Sequence, residues 1–493
     1  METTNSKYKL LIRDKKGCFI ISPFINKTKK DFELPTSSNI IMCKKYFANI
    51  DAGHLSIYSI EEGYKLIKDF EELKSVSMID FSENEKYLTI IQKPTVDNNN
   101  LKIYKIDNNN FELKFKISSK VHPNSLWPQI IYDIKDENKI FYLNKSTLEI
   151  YDLNNSNLLN KIENILSFVQ TTFEDKNYLL CCKIIYKDSN KKNCFFSIYD
   201  YNNNNFDKPL KEQSLSLTDR IKLKLSNNKK FLLIHSINDN TSNKSYYGNS
   251  SLYYLNILNF DFKKFVLPEG PIHDFCWSFN SENFIITAGH LPSKTLFYDN
   301  NMNLIKEICI GKFNKILISP NNKFLALCGF GSLNGDINLY ELDIKNDFRL
   351  IGKYNLFCCV DLFWSFDSKY LLGSVLSTRV KVDNEYRIIR YNGIEEIVDK
   401  NIGEIYQCVW VNCCDISQND DFEVEVNEKS LEEKKKEGIK LKTLGTIDFG
   451  TNNRTNLDEE KERRNEGAGV GFKKKKKKKK KKGEGNKNEE NDE

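Results

Sequence analysis

Apolar and polar positions along this chain alternate in short bursts separated by turn-forming residues. Residues 318–340 show the unit most clearly. Ser319-Pro320-Asn321-Asn322 supplies turn chemistry, since proline presets φ and asparagine tolerates the left-handed region. Phe324 to Cys328 is an apolar run too brief for a helix, and Ile337 to Tyr340 alternates apolar with polar. Between them Gly329, Gly331 and Gly335 admit backbone conformations closed to other residues. The pattern predicts strand, turn, strand: one antiparallel hairpin.

Nearly the whole chain repeats it. Strands ending in an aliphatic-x-Tyr pattern place tyrosines at 58, 104, 151, 199, 254, 298, 340 and 391, in steps of 46, 47, 48, 55, 44, 42 and 51 residues. A turn followed by an aromatic strand precedes most of them, as at Phe81-Ser82 to Tyr87-Leu88, Trp277-Ser278 to Phe284-Ile285 and Trp364-Ser365 to Tyr370-Leu371. Self-similarity at roughly 40–50 residues with about four strands per unit marks a β-propeller, whose small sheets bury their faces only against one another. The fold class expected is therefore all-β, a WD-repeat-like propeller. Eight tyrosine-ended units and a closing one make nine blades, with seven or eight bearing insertions as the alternatives.

The ends of the chain complete the picture. Tyr8 to Arg13, a Lys15-Lys16-Gly17 turn and Cys18 to Ser22 form a hairpin. It is expected to lend an N-terminal strand to the last blade, beside Ile405 to Val411, removing exposed edges. The propeller is expected over 1–416. Asparagine runs at 98–100, 108–110 and 202–205, and the stretch 238–251, read as surface loops. From 417 to 493 the character changes: 13 apolar residues among 77 cannot offset chain entropy, which predicts a disordered charged tail. A helical turn is the one element considered there, over 432–436. Ten successive lysines, Lys473 to Lys482, lie within acidic flanks; they read either as a polyanion-binding block or as a solvated low-complexity tract.

Composition narrows the function. The chain has 493 residues and a formal net charge of +6. Its 13 cysteines include no Cys-x-x-Cys, so they are expected to be small buried apolar residues and not zinc ligands. Without a signal peptide or an apolar run near about 18 residues, a soluble, cytoplasmic protein with no membrane partner is expected. Gly329-x-Gly331-x-x-x-Gly335 leads into a strand and is neither a dinucleotide nor a P-loop motif. None of the five histidines has a neighbour at metal spacing, and His273-Asp274 reads as a structural hydrogen-bonding pair. No nucleophile elbow appears. The expectation is no catalytic residue, no metal and no cofactor.

Four segments carry a resemblance. Glu269-Gly-Pro-Ile-His-Asp-Phe-Cys-Trp277, Gly289-His-Leu-Pro-Ser-Lys-Thr295, Gly329-Phe-Gly-Ser-Leu-Asn-Gly335, and Arg379 to Tyr386 with Tyr391-Asn-Gly393 resemble the eukaryotic translation initiation factor 2A family in order and spacing. Asp274, Trp277, Gly329, Phe330, Gly331, Gly335 and Trp364 are the motif residues implied to be structural. Trp127-Pro128 fits the same family less sharply. The resemblance implies a factor that binds the small (40S) ribosomal subunit and helps place initiator Met-tRNA without GTP hydrolysis of its own. It leaves mRNA and other initiation factors as further partners. A non-catalytic protein-interaction scaffold of the initiation machinery is the alternative.

The site expectation centres on Thr378-Arg-Val-Lys-Val382, read as a strand. Period-2 alternation would put Arg379 and Lys381 on one face and Val380 and Val382 against a neighbouring blade. Arg387 and Arg390 would join them, so that four cations gather on one blade; Lys294 is a further candidate. Two uses compete: a charged, solvated strand edge or a phosphate-binding patch for ribosomal RNA or tRNA.

Overall fold

In the computed structural model, the described residues are 7–93, 99–119, 130–188, 191–202, 206, 208–216, 218–239, 249–343, 347–400, 402–411 and 424–432. They form nine four-stranded antiparallel sheets. Eight are continuous in sequence: blade 1 (39–69), blade 2 (76–117), blade 3 (130–162), blade 4 (165–215), blade 5 (220–264), blade 6 (272–311), blade 7 (315–355) and blade 8 (361–399). The ninth draws Leu10–Asp14, Cys18–Ser22 and Asn26–Leu34 from the N-terminus and Ile405–Trp410 from the far end. The N-terminus thus contributes three strands to the closure, where a single one was expected. Asn26–Leu34 escaped notice because it is the exposed outer strand, reading NKTKKDFEL with apolar residues, Phe32 and Leu34, only at its end.

The same gradient runs through every blade. Second strands lie between neighbours on all sides and are continuous apolar runs, as in the wholly buried Phe324–Cys328 of blade 7. Fourth strands are polar and mostly exposed, as in Lys65–Asp69 and Lys211–Leu215. The repeating tyrosines, Tyr58 through Tyr340, all sit on third strands, and Tyr391 directly follows one.

Each pair of adjacent blades shares an apolar cluster, which is how sheets too small to be stable alone reach a packed core. The ring closes through Leu11, Ile20, Phe47 and Val411 between the ninth sheet and blade 1. Tyr8, Leu10, Leu372, Tyr386 and Trp410 join it to blade 8. Indole N–H groups reinforce the joints between first strands: Trp277 donates to Lys224 O at 2.9 Å, Trp364 to Leu317 O at 3.3 Å and Trp410 to Phe363 O at 3.2 Å.

The turns from first to second strand in blades 2, 5, 7 and 8 share one device. The serine hydroxyl accepts from the backbone five residues on: Ser82 from Tyr87, Ser226 from Phe231, Ser319 from Phe324 and Ser365 from Tyr370, at 2.9–3.1 Å. A residue with positive φ closes each turn, namely Glu85, Lys229, Asn322 and Ser368.

The first compact unit runs to residue 433, beyond the boundary expected at 416. Residues 424–427 lie along blade 7: Asn427 N donates to Ile351 O at 2.8 Å, and Val424 and Val426 pack on the cluster shared by blades 7 and 8. A helical turn occupies 428–432; of the stretch 432–436, residues 433–436 lie outside the described residues. The polylysine run and Trp127-Pro128 lie outside the described residues.

Candidate nucleic-acid interface

In every blade the strands alternate in direction, so second-to-third turns and blade-to-blade linkers emerge at one end of the ring. All four motif segments reach that end, on blades 6, 7 and 8. They are linker 265–271, turn 289–292, turn 329–335 and turn 376–384. The first two are tied together by Gly289 N to Pro271 O at 3.0 Å and His290 N to Glu269 O at 3.2 Å. His273 Nε2 lies 2.9 Å from Gly289 O, the structural role expected of it.

Asp274 joins three blades. Its carboxylate accepts from Ile316 N of blade 7 at 2.9 Å and meets Lys224 Nζ of blade 5 at 3.3 Å. The glycines of 329–335 serve close approach. Gly329 leaves no room for a Cβ beside Lys312 O, Gly335 none beside Leu356 O, and Gly331 and Gly335 have φ of +76° and +83°. Phe330 is held by Asn314, whose side chain bonds both its N–H and its carbonyl at 2.9 Å.

Arg379 and Lys381 do not lie on a strand. After Tyr370–Val375 the chain turns: the N–H groups of Arg379 and Val380 both donate to Leu376 O at 3.0 Å, and Asp383 has φ +55°. Asn384 pins the loop, donating to Val380 O at 2.6 Å and accepting from Ile405 N at 3.0 Å. Folded backbone abolishes the alternation, and Val382 is 66% exposed instead of facing a neighbouring blade.

The five candidate cations therefore divide. Arg387, on Glu385–Arg390, is committed to Glu385 at 2.7 Å and Glu395 at 3.1 Å; these bonds and its tie to Tyr354 outweigh desolvation and raise its pKa. Arg390 pairs with Glu396, and Lys294 with Glu307 at 2.9 Å. Among the described residues Arg379 makes no ion pair; it donates to the Gly331 carbonyl and binds turn 376–384 to turn 329–335. Lys381 is exposed near Glu404, whose carboxyl is held below its usual range first by a hydrogen bond from Lys15, then by one from Tyr406. Exposed Lys312 and Lys315 extend this surface onto blade 7 and were not singled out from sequence, where isolated lysines carry no signal.

At the opposite mouth of the ring, a cavity is lined by Asp80, Ser82, Glu83, Trp364, Gln407 and Trp410. Desolvation pushes the Asp80 carboxyl up to about 6, partly offset by the Phe81 N–H. Burial likewise pushes the thiols of Cys18, Cys43 and Cys276 up to about 12, so these behave as apolar side chains. Among the described residues, no group of three His, Cys, Asp or Glu side chains is placed to hold a metal ion, and no helix is long and apolar enough to cross a membrane.

Comparison with known proteins bears on this face directly. Residues 213–408 match the family described as eukaryotic translation initiation factor eIF2A. The chain is 34% identical over 222 residues to eukaryotic translation initiation factor 2A of Schizosaccharomyces pombe, covering 45% of this chain and 38% of that one. It is 34% identical over 180 residues to the protein of the same name from Dictyostelium discoideum, covering 36% and 29%. The match thus spans less than two-fifths of these relatives' length. A eukaryotic initiation factor of known crystal structure aligns with a TM-score of 0.68 at 22% identity, over 84% of this chain and all of that one, which shows the shared fold.

Proposed function

We propose that this chain, whose residues 213–408 match the family described as eukaryotic translation initiation factor eIF2A, acts in translation initiation by binding, with no reaction of its own. The partner is the small ribosomal subunit, and the task is to help place initiator Met-tRNA. One observation carries the reading: parts of all four family segments meet at one end of blades 6–8, where Lys312, Lys315, Arg379 and Lys381 are exposed and make no ion pair among the described residues. Phosphate contacts supply affinity and position, and a rigid ring end presents them without an ordering cost.

The test is binding of the purified chain to 40S subunits across a salt series. Replacing Arg379 and Lys381 with alanine is expected to weaken binding and flatten the slope of log affinity against log salt by about one to two units. An unchanged affinity and slope would remove the patch from the reading. The scaffold alternative draws on the exposed Val266, Leu291, Phe357 and Val382 at the same end. It predicts complexes with other initiation factors that survive both RNase and high salt.

A further inference from the structure

Phe357 lies in the linker 356–360 between blades 7 and 8, at the cationic end of the ring, and is 68% exposed. Its neighbours are anchored: Leu356 is 2% and Cys359 1% exposed, both within the cluster shared by those blades. Leu356 N donates to Gly335 O at 2.9 Å, Cys359 N donates to Leu356 O at 3.3 Å, and Cys358 closes the turn with φ +59°. Gly335 packs so closely that a Cβ there would stand 2.8 Å from Phe357 N. An aromatic ring is thus presented to solvent on a turn that cannot easily fold it inward.

The surroundings say what the ring receives. Turn 329–335 packs at Gly335 against the backbone of residues 356–357 and meets the Arg379 guanidinium at Gly331, so the residue that carries the ring and the cation flank one short loop. Of the carboxylates nearby, Glu404 is taken by Lys15 at 3.1 Å, while Asp361 lies near Lys315 and Asp383 is two residues from Lys381. Among the described residues the other two exposed phenylalanines, Phe279 and Phe363, lie toward the opposite end of the ring. A displayed π-face beside exposed cations suits an unpaired nucleotide, whose base stacks while its phosphates meet the charges.

We propose that Phe357 is a stacking platform for an unpaired RNA base, with Arg379 and Lys381 on the flanking phosphates. The proposal rests on the RNA-binding reading above and specifies single-stranded RNA as what this surface takes.

The probe is an oligouridine 12-mer carrying one 2-aminopurine, titrated with the full chain; stacking on an aromatic ring quenches its emission, whereas lysine runs do not. Wild type and Phe357→Tyr are expected to quench. Phe357→Leu, which keeps an apolar side chain without the π-face, is expected to lose the quench or shift its midpoint by about 5- to 150-fold. Melting curves establish that each variant is folded. An unchanged quench in Phe357→Leu would overturn the platform; if Arg379→Ala/Lys381→Ala still weakens binding, the patch survives without it. Loss of effect in both variants would overturn platform and patch together. A wild type that binds 40S subunits without quenching would assign Phe357 to protein contact and also overturn the proposal.

Discussion

The hydroxyl oxygen of Tyr391 accepts a hydrogen bond from the backbone N–H of Glu425 at 3.0 Å. Tyr391 is the last of the periodic tyrosines, and Glu425 belongs to a stretch whose composition reads as tail. The bond joins them at the seam between blades 7 and 8. Asn392 Nδ2 donates to Glu425 O at 3.3 Å, and Lys353 N donates to the Ser430 hydroxyl at 3.1 Å.

Truncation therefore has two distinct outcomes. A chain ending at 433 is expected to melt like the full protein. One ending at 416 stays folded but loses the packing of the half-buried Val424 and Val426, worth about 1–3 kcal/mol together. Differential scanning calorimetry of both chains checks this; equal melting temperatures would show that the segment adds nothing.

Removing residues 1–34 should prevent isolation of a soluble monomer. The deletion takes three strands of the closing sheet and leaves Ile405–Trp410 unpaired beside two opened interblade clusters. Size-exclusion chromatography decides it, a stable monomer being the contrary result.

The same closure has a pH signature at Asp367. Burial alone would push its carboxyl up, but hydrogen bonds from Tyr8 at 2.5 Å, Ser365 and Lys7 outweigh it and hold it below the usual range. A depressed folded value stabilises above the unfolded value, near about 4, and that contribution vanishes as pH falls through the folded one. Asp367→Asn should thus destabilise at pH 7 and converge on wild type below about pH 4. Urea midpoints at several pH values measure it; a constant gap would exclude the carboxylate as the cause.

Asp80 has the opposite sign. With its folded pKa raised to about 6, the unfolded chain ionises first, so folding is penalised progressively from about pH 4 and fully above pH 6. Asp80→Asn should stabilise at pH 8 by order of 1 kcal/mol, a value discounted for water at the channel mouth, and change little at pH 4. No stabilisation at pH 8 would mean that the carboxylate is already well solvated.

At Gly335 an alanine Cβ would fall 2.2 Å from Leu356 O, at a φ of +83°. Gly335→Ala is expected to cost roughly 1–3 kcal/mol and to displace the turn that carries Phe357. It should therefore depress both the melting temperature and the 2-aminopurine quench, whereas Phe357→Leu affects only the quench.

Repeat number and fold were legible because interior strands leave period-2 or continuous apolar signals, and third-strand tyrosines recur wherever blades meet the same packing problem. Outer strands such as Asn26–Leu34 were not legible, since solvent over most of their length imposes little pattern. The loop holding Arg379 and Lys381 looked like a strand because Arg-Val-Lys-Val alternates. Only the tertiary structure shows Asn384, bonded to Ile405 in the closing sheet, bending it into a turn. Charge was legible as residues but not as availability: Arg387, Arg390 and Lys294 found carboxylates, one of them 13 residues away, while Arg379 found a carbonyl. Phe357 was silent in sequence for the same reason. A phenylalanine among apolar residues reads as core, and only the buried anchors on either side decide that it faces water.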